Sequence, residues 1–216
     1  DGQGFLVPKK LKVTSAKQLK NAEVCVQSGT TTEKNLADYA RAQGIKLKPV
    51  VFDKFEASIK AFFSGRCQAY TTDASALAFI RSKEAPVPDD YLVLPEIISK
   101  EPLGPAVRRG DDEWFAIVKW TLNALIEAEE LGITQARVDS LKASPDPALQ
   151  RFLGVGEDLG KSLGLDREWA ARAVKAVGNY GEIFNRNVGA DSPLKLPRGL
   201  NAQWNKGGIL YAQPLR

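Results

Sequence analysis

The sequence predicts an α/β chain, with a doubly wound, parallel-sheet lobe over residues 1–110 and a mostly α-helical region over residues 111–216. Two observations support this division. Between residues 23 and 82, short apolar runs alternate with helical patterns over brief connections, as in parallel sheets covered by helices. After Gly110, helical patterns continue to about Asn187, while strand patterns nearly cease. We therefore predict two domains with their boundary at this glycine.

The elements of the first region have clear start and stop signals. Thr30 and Glu33 have the spacing of a helix-capping box, and Asp53 is a cap for the next helix. Gly44 and Gly65 follow these helices, where glycine commonly ends a helix. The predicted strands are 5–7, 23–27, 47–52, 67–71, 91–94 and 103–107, and the predicted helices are 31–43, 54–64 and 74–82.

A long helix over residues 112–131 opens the second region. Its apolar residues recur at helical spacing, and we interpret this stripe as core packing. The stripe consists of Trp114, Ile117, Val118, Thr121, Leu122 and Leu125. Shorter helices are predicted at 134–141, from Pro147, at 167–177 and at 179–187, and the tail from residue 192 is expected to cover a surface.

Composition narrows the possible functions. The net charge is +4, and the lysines and arginines are scattered, so nucleic-acid binding is not indicated. Histidine, the commonest general base and zinc ligand, is absent, and two cysteines cannot form a four-ligand zinc site. We therefore predict no metal and no cofactor. No apolar run reaches the roughly 18 residues of a membrane span. Because methionine is absent, we expect a mature, engineered or partial chain.

One short run combines a buried strand, a glycine turn and the start of a helix. The strand ends at Gln27, Ser28 and Gly29 form the turn, and Thr30 and Thr31 open the helix. Backbone N–H groups, hydroxyls and the helix dipole at such a place favour an anion, commonly a carboxylate or a phosphate. The threonines could equally serve only to cap the helix, so both interpretations stay open for this run alone.

A carboxylate is predicted beside this turn. Ligands of doubly wound sheets bind beyond the carboxyl ends of the strands. With the strand order 2-1-3, the strands 23–27 and 67–71 are neighbours about 4.8 Å apart, so the turn and Asp73 would face one pocket. Asp73 would repel a phosphate, whereas a zwitterion would match both groups. Asp73 is also a favoured cap for the helix over 74–82, and that alternative stays open.

The two cysteines, Cys25 and Cys67, lie on the same pair of predicted strands. A cross-strand disulfide between them is plausible in an oxidising compartment, and two buried thiols are the alternative in a reducing one.

Several runs resemble the polar amino-acid-binding periplasmic proteins of ABC transporters, and most closely the general L-amino-acid-binding subgroup. They are residues 1–5 (DGQGF), 24–33 (VCVQSGTTTE) and 67–73 (CQAYTTD), with further similarity at 179–184 and 199–205. The resemblance therefore extends over nearly the whole chain.

The resemblance implies a periplasmic binding protein type II fold, in which two α/β lobes close around one amino acid. It implies that Ser28, Gly29, Thr30 and Thr31 hold the ligand α-carboxylate and that Asp73 holds the α-ammonium. In this family most of the first lobe is encoded before the point where this chain begins. We therefore expect a truncated form, in which the residues after about 110 would otherwise pack on the first lobe.

The implied function is the capture of L-amino acids in the periplasm and their delivery to the membrane permease of an ABC importer, without catalysis. We expect the chain alone to bind amino acids weakly or not at all. We also expect its exposed helical face to form a homodimer or to rearrange. One alternative is a lyase or dehydratase of the same fold acting on a small amino or keto acid, with Asp73, Glu33 or Glu96 as the acid or base. Another is a sensory or structural module.

Overall fold

The computed structural model describes every residue from Asp1 to Arg216, and the chain forms two compact units, Asp1–Gly104 and Pro105–Arg216. No helix in either unit is both long and apolar enough to cross a membrane. The first unit contains two hydrophobic clusters and the second contains one.

A five-stranded sheet forms the centre of the first unit. Its strands are β1 (Gln3–Pro8), β2 (Glu23–Gln27), β3 (Lys48–Phe52), β4 (Ala69–Asp73) and β5 (Tyr91–Val93), in the order β3-β2-β4-β1-β5. β2 runs parallel to β3 and β4, so the predicted order of the three alternating strands is confirmed. β1, in contrast, pairs antiparallel with β4 and β5, and the sheet is therefore mixed rather than wholly parallel.

Helices cover both faces of this sheet. They are α1 (Thr31–Ala42), α2 (Phe55–Phe63) and α3 (Ala74–Lys83). Successive strand residues point to opposite faces, so Val24 and Val26 pack in one cluster with Leu36 of α1, while Cys25 packs in the other with Phe62 of α2. This two-sided burial explains why the three central residues of β2 are all apolar.

Two predictions for the first unit were wrong. Residues 103–107 form no strand, because Pro102 and Pro105 lack the N–H groups that a strand ladder needs. The segment before them lies along β1 instead, and the Ile98 N–H donates to the Gln3 carbonyl at 2.8 Å. Asp53 does not cap α2, whose cap position is Lys54 without a side-chain bond.

The second unit is helical, as predicted. Its helices are α4 (Asp112–Glu130), α5 (Pro147–Phe152), α6 (Trp169–Val177) and α7 (Tyr180–Asn187). The buried residues of α4 are Ala124, Ile126 and Ala128, whereas Trp114 is 52% exposed. The side chains of the predicted stripe are therefore only partly buried within this unit, and Trp114, the first of them, is not part of the hydrophobic core.

The helix predicted at 134–141 is a series of turns that leads into a short 3-10 helix, Ser140–Ala143. Two hydrogen bonds to α7 account for the absence of the predicted helix. The Gln135 N–H donates to the carboxylate of Glu182 at 3.0 Å, and the Asn179 side chain donates to the Ile133 carbonyl at 2.9 Å. These bonds from the start of α7 hold the segment in a turn conformation.

One partly buried ion pair connects α4, α7 and the tail. Nη1 and Nη2 of Arg198 each lie 3.0 Å from a carboxylate oxygen of Glu129. The same guanidinium donates to the Asn201 carbonyl and lies 5.6 and 5.1 Å from the ring centroids of Tyr180 and Phe184. Arg198 therefore fastens the tail onto two helices.

Replacing Arg198 with methionine should destabilise this unit by about 2 kcal/mol, because Glu129 would keep its charge in a largely buried position without a partner. Urea unfolding followed by tryptophan fluorescence measures this effect, since all 4 tryptophans lie in the second unit. Arg172→Met is the control: it breaks a pair with Asp166 whose side chains are 60% and 47% exposed, and should cost under about 0.5 kcal/mol. Equal losses in the two variants would contradict the expectation.

Candidate ligand-binding site

The candidate site lies where two neighbouring parallel strands end. β2 and β4 pair in parallel register, with Val24 opposite Ala69 and Cys25 opposite Tyr70. The turn at Ser28 and Gly29 follows β2, and Asp73 is the last residue of β4. Because carboxyl ends of parallel strands meet at one edge, the turn and the carboxylate lie on the same side of the sheet.

The turn has the conformation that its glycine predicts. Gly29 has a φ of +68°, which favours glycine, and a Cβ placed there would meet nothing within 4 Å. The Gly29 N–H donates to Oε2 of Glu33 at 3.0 Å. The turn is therefore open to solvent at Gly29. One of its N–H groups, however, already donates to a carboxylate of the chain itself.

The hydroxyl of Thr30 is committed to the chain. It donates to the Gln27 carbonyl at 2.8 Å and accepts the Glu33 N–H at 3.3 Å, so the capping role is realised. The Ser28 hydroxyl is also occupied, because it donates to Oδ1 of Asp53 at 3.1 Å. Neither hydroxyl is thus a spare donor.

The donors left for an anion are at the first turn of α1. Thr30 is the N-cap, so the amides of Thr31 and Thr32 have no intrahelical acceptor. Thr31 is exposed, and its hydroxyl bonds to no group of the chain. Together with the positive end of the helix dipole, these groups suit a carboxylate.

Asp73 occupies the N-cap position of α3, yet its side chain makes no capping hydrogen bond. Burial raises the pKa of this carboxyl, and the nearby charge of Glu101 raises it further, while the N-terminal amino group lowers it. The net rise means that burial and repulsion from Glu101 outweigh the favourable charge of the amino group. A bound ammonium group would add a further favourable charge.

Two further residues near the site were not predicted from the sequence. Gln3 is fully buried in β1 directly opposite Asp73, and a polar residue within an apolar opening strand was a signal that could have identified it. Glu101 accepts from the Ser99 hydroxyl at 2.8 Å and from the Asn35 side chain at 3.3 Å. It follows a proline-flanked loop without a recognisable pattern, so no sequence signal pointed to it.

The two cysteines are joined in a disulfide. Cys25 lies within β2, Cys67 lies just before β4, and their Cα atoms are 5.7 Å apart. Both residues are buried in the same cluster. The bond therefore connects the two strands whose ends carry the candidate site.

Comparison with known proteins places the chain among transport proteins. It is 59% identical to the general L-amino acid-binding periplasmic protein AapJ of Rhizobium johnstonii, over 100% of this chain and 64% of that protein. It is 52% identical to the glutamate/glutamine/aspartate/asparagine-binding protein BztA of Rhodobacter capsulatus, over 100% of this chain and 64% of that protein. The chain thus spans less than two thirds of the length of these curated relatives. No protein-family profile matches it.

A solved structure agrees with these relatives. It is an ABC transporter periplasmic binding protein from Brucella ovis with glutathione bound, 54% identical to this chain. The TM-score is 0.95, and the match covers 100% of this chain and 68% of that one. All three relatives are named as binding proteins rather than enzymes, in agreement with the prediction that no catalysis takes place. The chain belongs to the family of periplasmic binding proteins of ABC transporters.

Proposed function

We propose that the chain binds L-α-amino acids in the periplasm, as the second lobe of a receptor that delivers them to an ABC importer. The observation behind this proposal is a pair of complementary groups that make no hydrogen bond within the chain. The amides of Thr31 and Thr32 lack acceptors, and the Asp73 carboxylate makes no capping bond. The first group attracts a ligand carboxylate, and the second attracts an ammonium.

The charges around the turn favour a zwitterion over a phosphate. Glu33 accepts from the turn itself, Asp53 accepts from Ser28, and Glu101 lies close enough to raise the pKa of Asp73. A phosphate would add negative charge among these carboxylates. An amino acid brings a positive group that offsets them, so it is the better match.

The names of the relatives support the same ligand class. One is named for general L-amino acids, another for glutamate, glutamine, aspartate and asparagine, and the solved structure contains glutathione. Each of these molecules has an α-ammonium and an α-carboxylate on one carbon. We infer that this shared group is what the site at α1 and Asp73 recognises, while the identity of the side chain is read elsewhere.

The proposed partner is the membrane permease of an ABC importer, and the proposed compartment is the periplasm. The buried disulfide fits an oxidising compartment. The relatives are longer than this chain, and we propose that residues 105–216 pack on a first lobe where one is present. Homodimer formation through the exposed side of α4 stays a prediction of the sequence.

Calorimetric titration with matched ligands tests the proposal. L-glutamate is expected to bind this single lobe weakly, with a Kd of about 1 mM. Its 2-hydroxy analogue, which keeps both carboxylates and lacks the ammonium, should bind at least about tenfold more weakly, because Asp73 would face no positive group. Equal affinities for the two ligands would show that Asp73 does not read the ammonium. No heat with any L-amino acid would contradict binding by this chain.

A further inference from the structure

The opening strand contains a polar side chain that has no solvent contact. Gln3 is 0% exposed in β1, whose other side chains from Phe5 to Val7 are apolar and buried. β1 pairs antiparallel with β4 so that Gln3 lies directly opposite Asp73. A buried amide at this place needs an explanation, because burying a polar group is costly unless it is hydrogen-bonded.

Hydrogen bonds from the side-chain amide of Gln3 join α1 and β4, the two elements of the candidate site. Nε2 of Gln3 donates to the Thr32 carbonyl in the first turn of α1 at 3.0 Å, and to Oγ1 of Thr71 in β4 at 2.9 Å. The Thr71 hydroxyl donates its only proton to the Gly4 carbonyl at 2.7 Å, so its oxygen can only accept from Gln3. Both neighbours of Nε2 are therefore acceptors, and this network fixes the orientation of the amide.

We propose that Gln3 is a positioning residue of the amino-acid site, which sets the spacing between the amides that start α1 and the carboxylate of Asp73. The inference rests on the proposed function. The α-carboxylate and α-ammonium of a ligand are attached to one carbon, so their separation is fixed. Their two receptors belong to different elements, α1 and β4, and Gln3 connects these elements beside the site. Binding groups have to be held within about 0.5 Å of the productive geometry, which requires such supporting bonds.

Replacing Gln3 should leave the chain folded, because the groups that accept its hydrogen bonds also have other partners. The Thr32 carbonyl also accepts the helical N–H of Leu36, and Thr71 keeps its bond to Gly4. Oε1 of Gln3 is buried and has no partner. Gln3→Met therefore removes the two hydrogen bonds that Gln3 donates, and each of the two acceptors keeps another hydrogen bond.

A second buried glutamine offers a matched control. Gln203 in the second unit is 1% exposed, its Oε1 is also unpartnered, and its Nε2 donates to the Ile126 carbonyl at 3.3 Å. Gln203→Met makes the same chemical change away from the candidate site. Comparing the two variants shows whether a lower affinity follows from lower stability or from the loss of the positioning role.

The experiment measures amide hydrogen exchange and NMR-detected titration with L-glutamate in the wild-type chain and in both variants. In Gln3→Met, exchange of the Glu33 to Leu36 amides is expected to be about tenfold faster, and the Kd for L-glutamate about tenfold higher. Gln203→Met should change neither quantity, although it lowers the stability of its own unit.

Different results would contradict the positioning role of Gln3 and amino-acid binding by the chain. Unchanged exchange in Gln3→Met, or an unchanged Kd where the wild-type chain binds, would overturn the positioning role and leave amino-acid binding intact. Equal losses of affinity in the two variants would also overturn it, because the effect would then follow stability alone. A wild-type chain that binds no amino acid would overturn the proposed function, and the positioning role with it.

Discussion

Replacing Asp73 with asparagine is expected to lower the affinity of the chain for L-amino acids by roughly 10- to 150-fold, without destabilising the fold. The affinity falls because a hydrogen bond between charged groups is lost, which is worth about 1.5–3 kcal/mol. Asparagine keeps the size of the side chain and removes only its charge. Calorimetric or NMR-detected titration with L-glutamate measures the change.

The expected stability follows from the direction of the Asp73 pKa. Burial and Glu101 raise that pKa above the ordinary value of 3.8, so the folded state favours the protonated carboxyl. The stability that this group contributes is fully present below pH 3.8 and is lost as the pH rises through the raised value. At pH 7 the asparagine variant should therefore be equal to or slightly more stable than the wild type, and this advantage should disappear in acid.

Asp38→Asn is the matched control for Asp73→Asn. Asp38 lies on α1 with its side chain 72% exposed and pairs with Arg41. The substitution should leave both affinity and stability nearly unchanged. If Asp73→Asn destabilised the first unit by more than about 1 kcal/mol, the charged carboxylate would be stabilising the fold, contrary to the direction of its pKa.

Breaking the Cys25–Cys67 disulfide should destabilise the first unit by about 4 kcal/mol. The bond closes a loop between residues 42 positions apart, and the loss of that restraint increases the entropy of the unfolded chain. Both cysteines are buried in one cluster with Tyr70 and Phe62, so the bond joins two strands inside the core of the first unit. This is the largest effect on stability that we expect from any single bond in the chain.

Urea unfolding by circular dichroism, with and without a reductant, measures this loss. Tryptophan fluorescence recorded on the same samples follows the second unit only, and provides an internal reference. The double variant Cys25→Ala/Cys67→Ala should unfold as the reduced wild type does and should not respond to the reductant. An unchanged circular dichroism transition after complete reduction would contradict the expected contribution.

Local patterns predicted most of the first unit. The apolar runs of β2 and β3, the cap at Thr30 and the glycine at residue 44 are all short-range signals, and α1 spans Thr31–Ala42 as they indicate. The direction of β1 could not be predicted in this way, because an apolar strand has the same pattern in parallel and antiparallel pairing. The turns at 134–141 were missed for a similar reason, since the groups that hold them, Asn179 and Glu182, are distant in the sequence.

The sequence predicted the location of the candidate site and the class of its ligand, but only some of its hydrogen bonds. The glycine turn and Asp73 follow apolar strands, and this order alone indicates a shared edge. The sequence could not show that the hydroxyls of Thr30 and Ser28 are already bonded within the chain. Gln3 could have been noticed as a polar residue in an apolar strand, but its role depends on how β1 is paired with β4, which the sequence does not show.

The most direct test of amino-acid binding at this site is a heteronuclear NMR titration of the chain with L-glutamate, in which the amides of α1 and the carboxyl of Asp73 are followed separately. We expect the NMR signals of the Thr31 and Thr32 amides and of the Asp73 carboxyl carbon to shift together along one saturation curve. Shifts at only one of these places, or shifts confined to residues 105–216, would contradict the claim that a single amino acid binds across the start of α1 and Asp73.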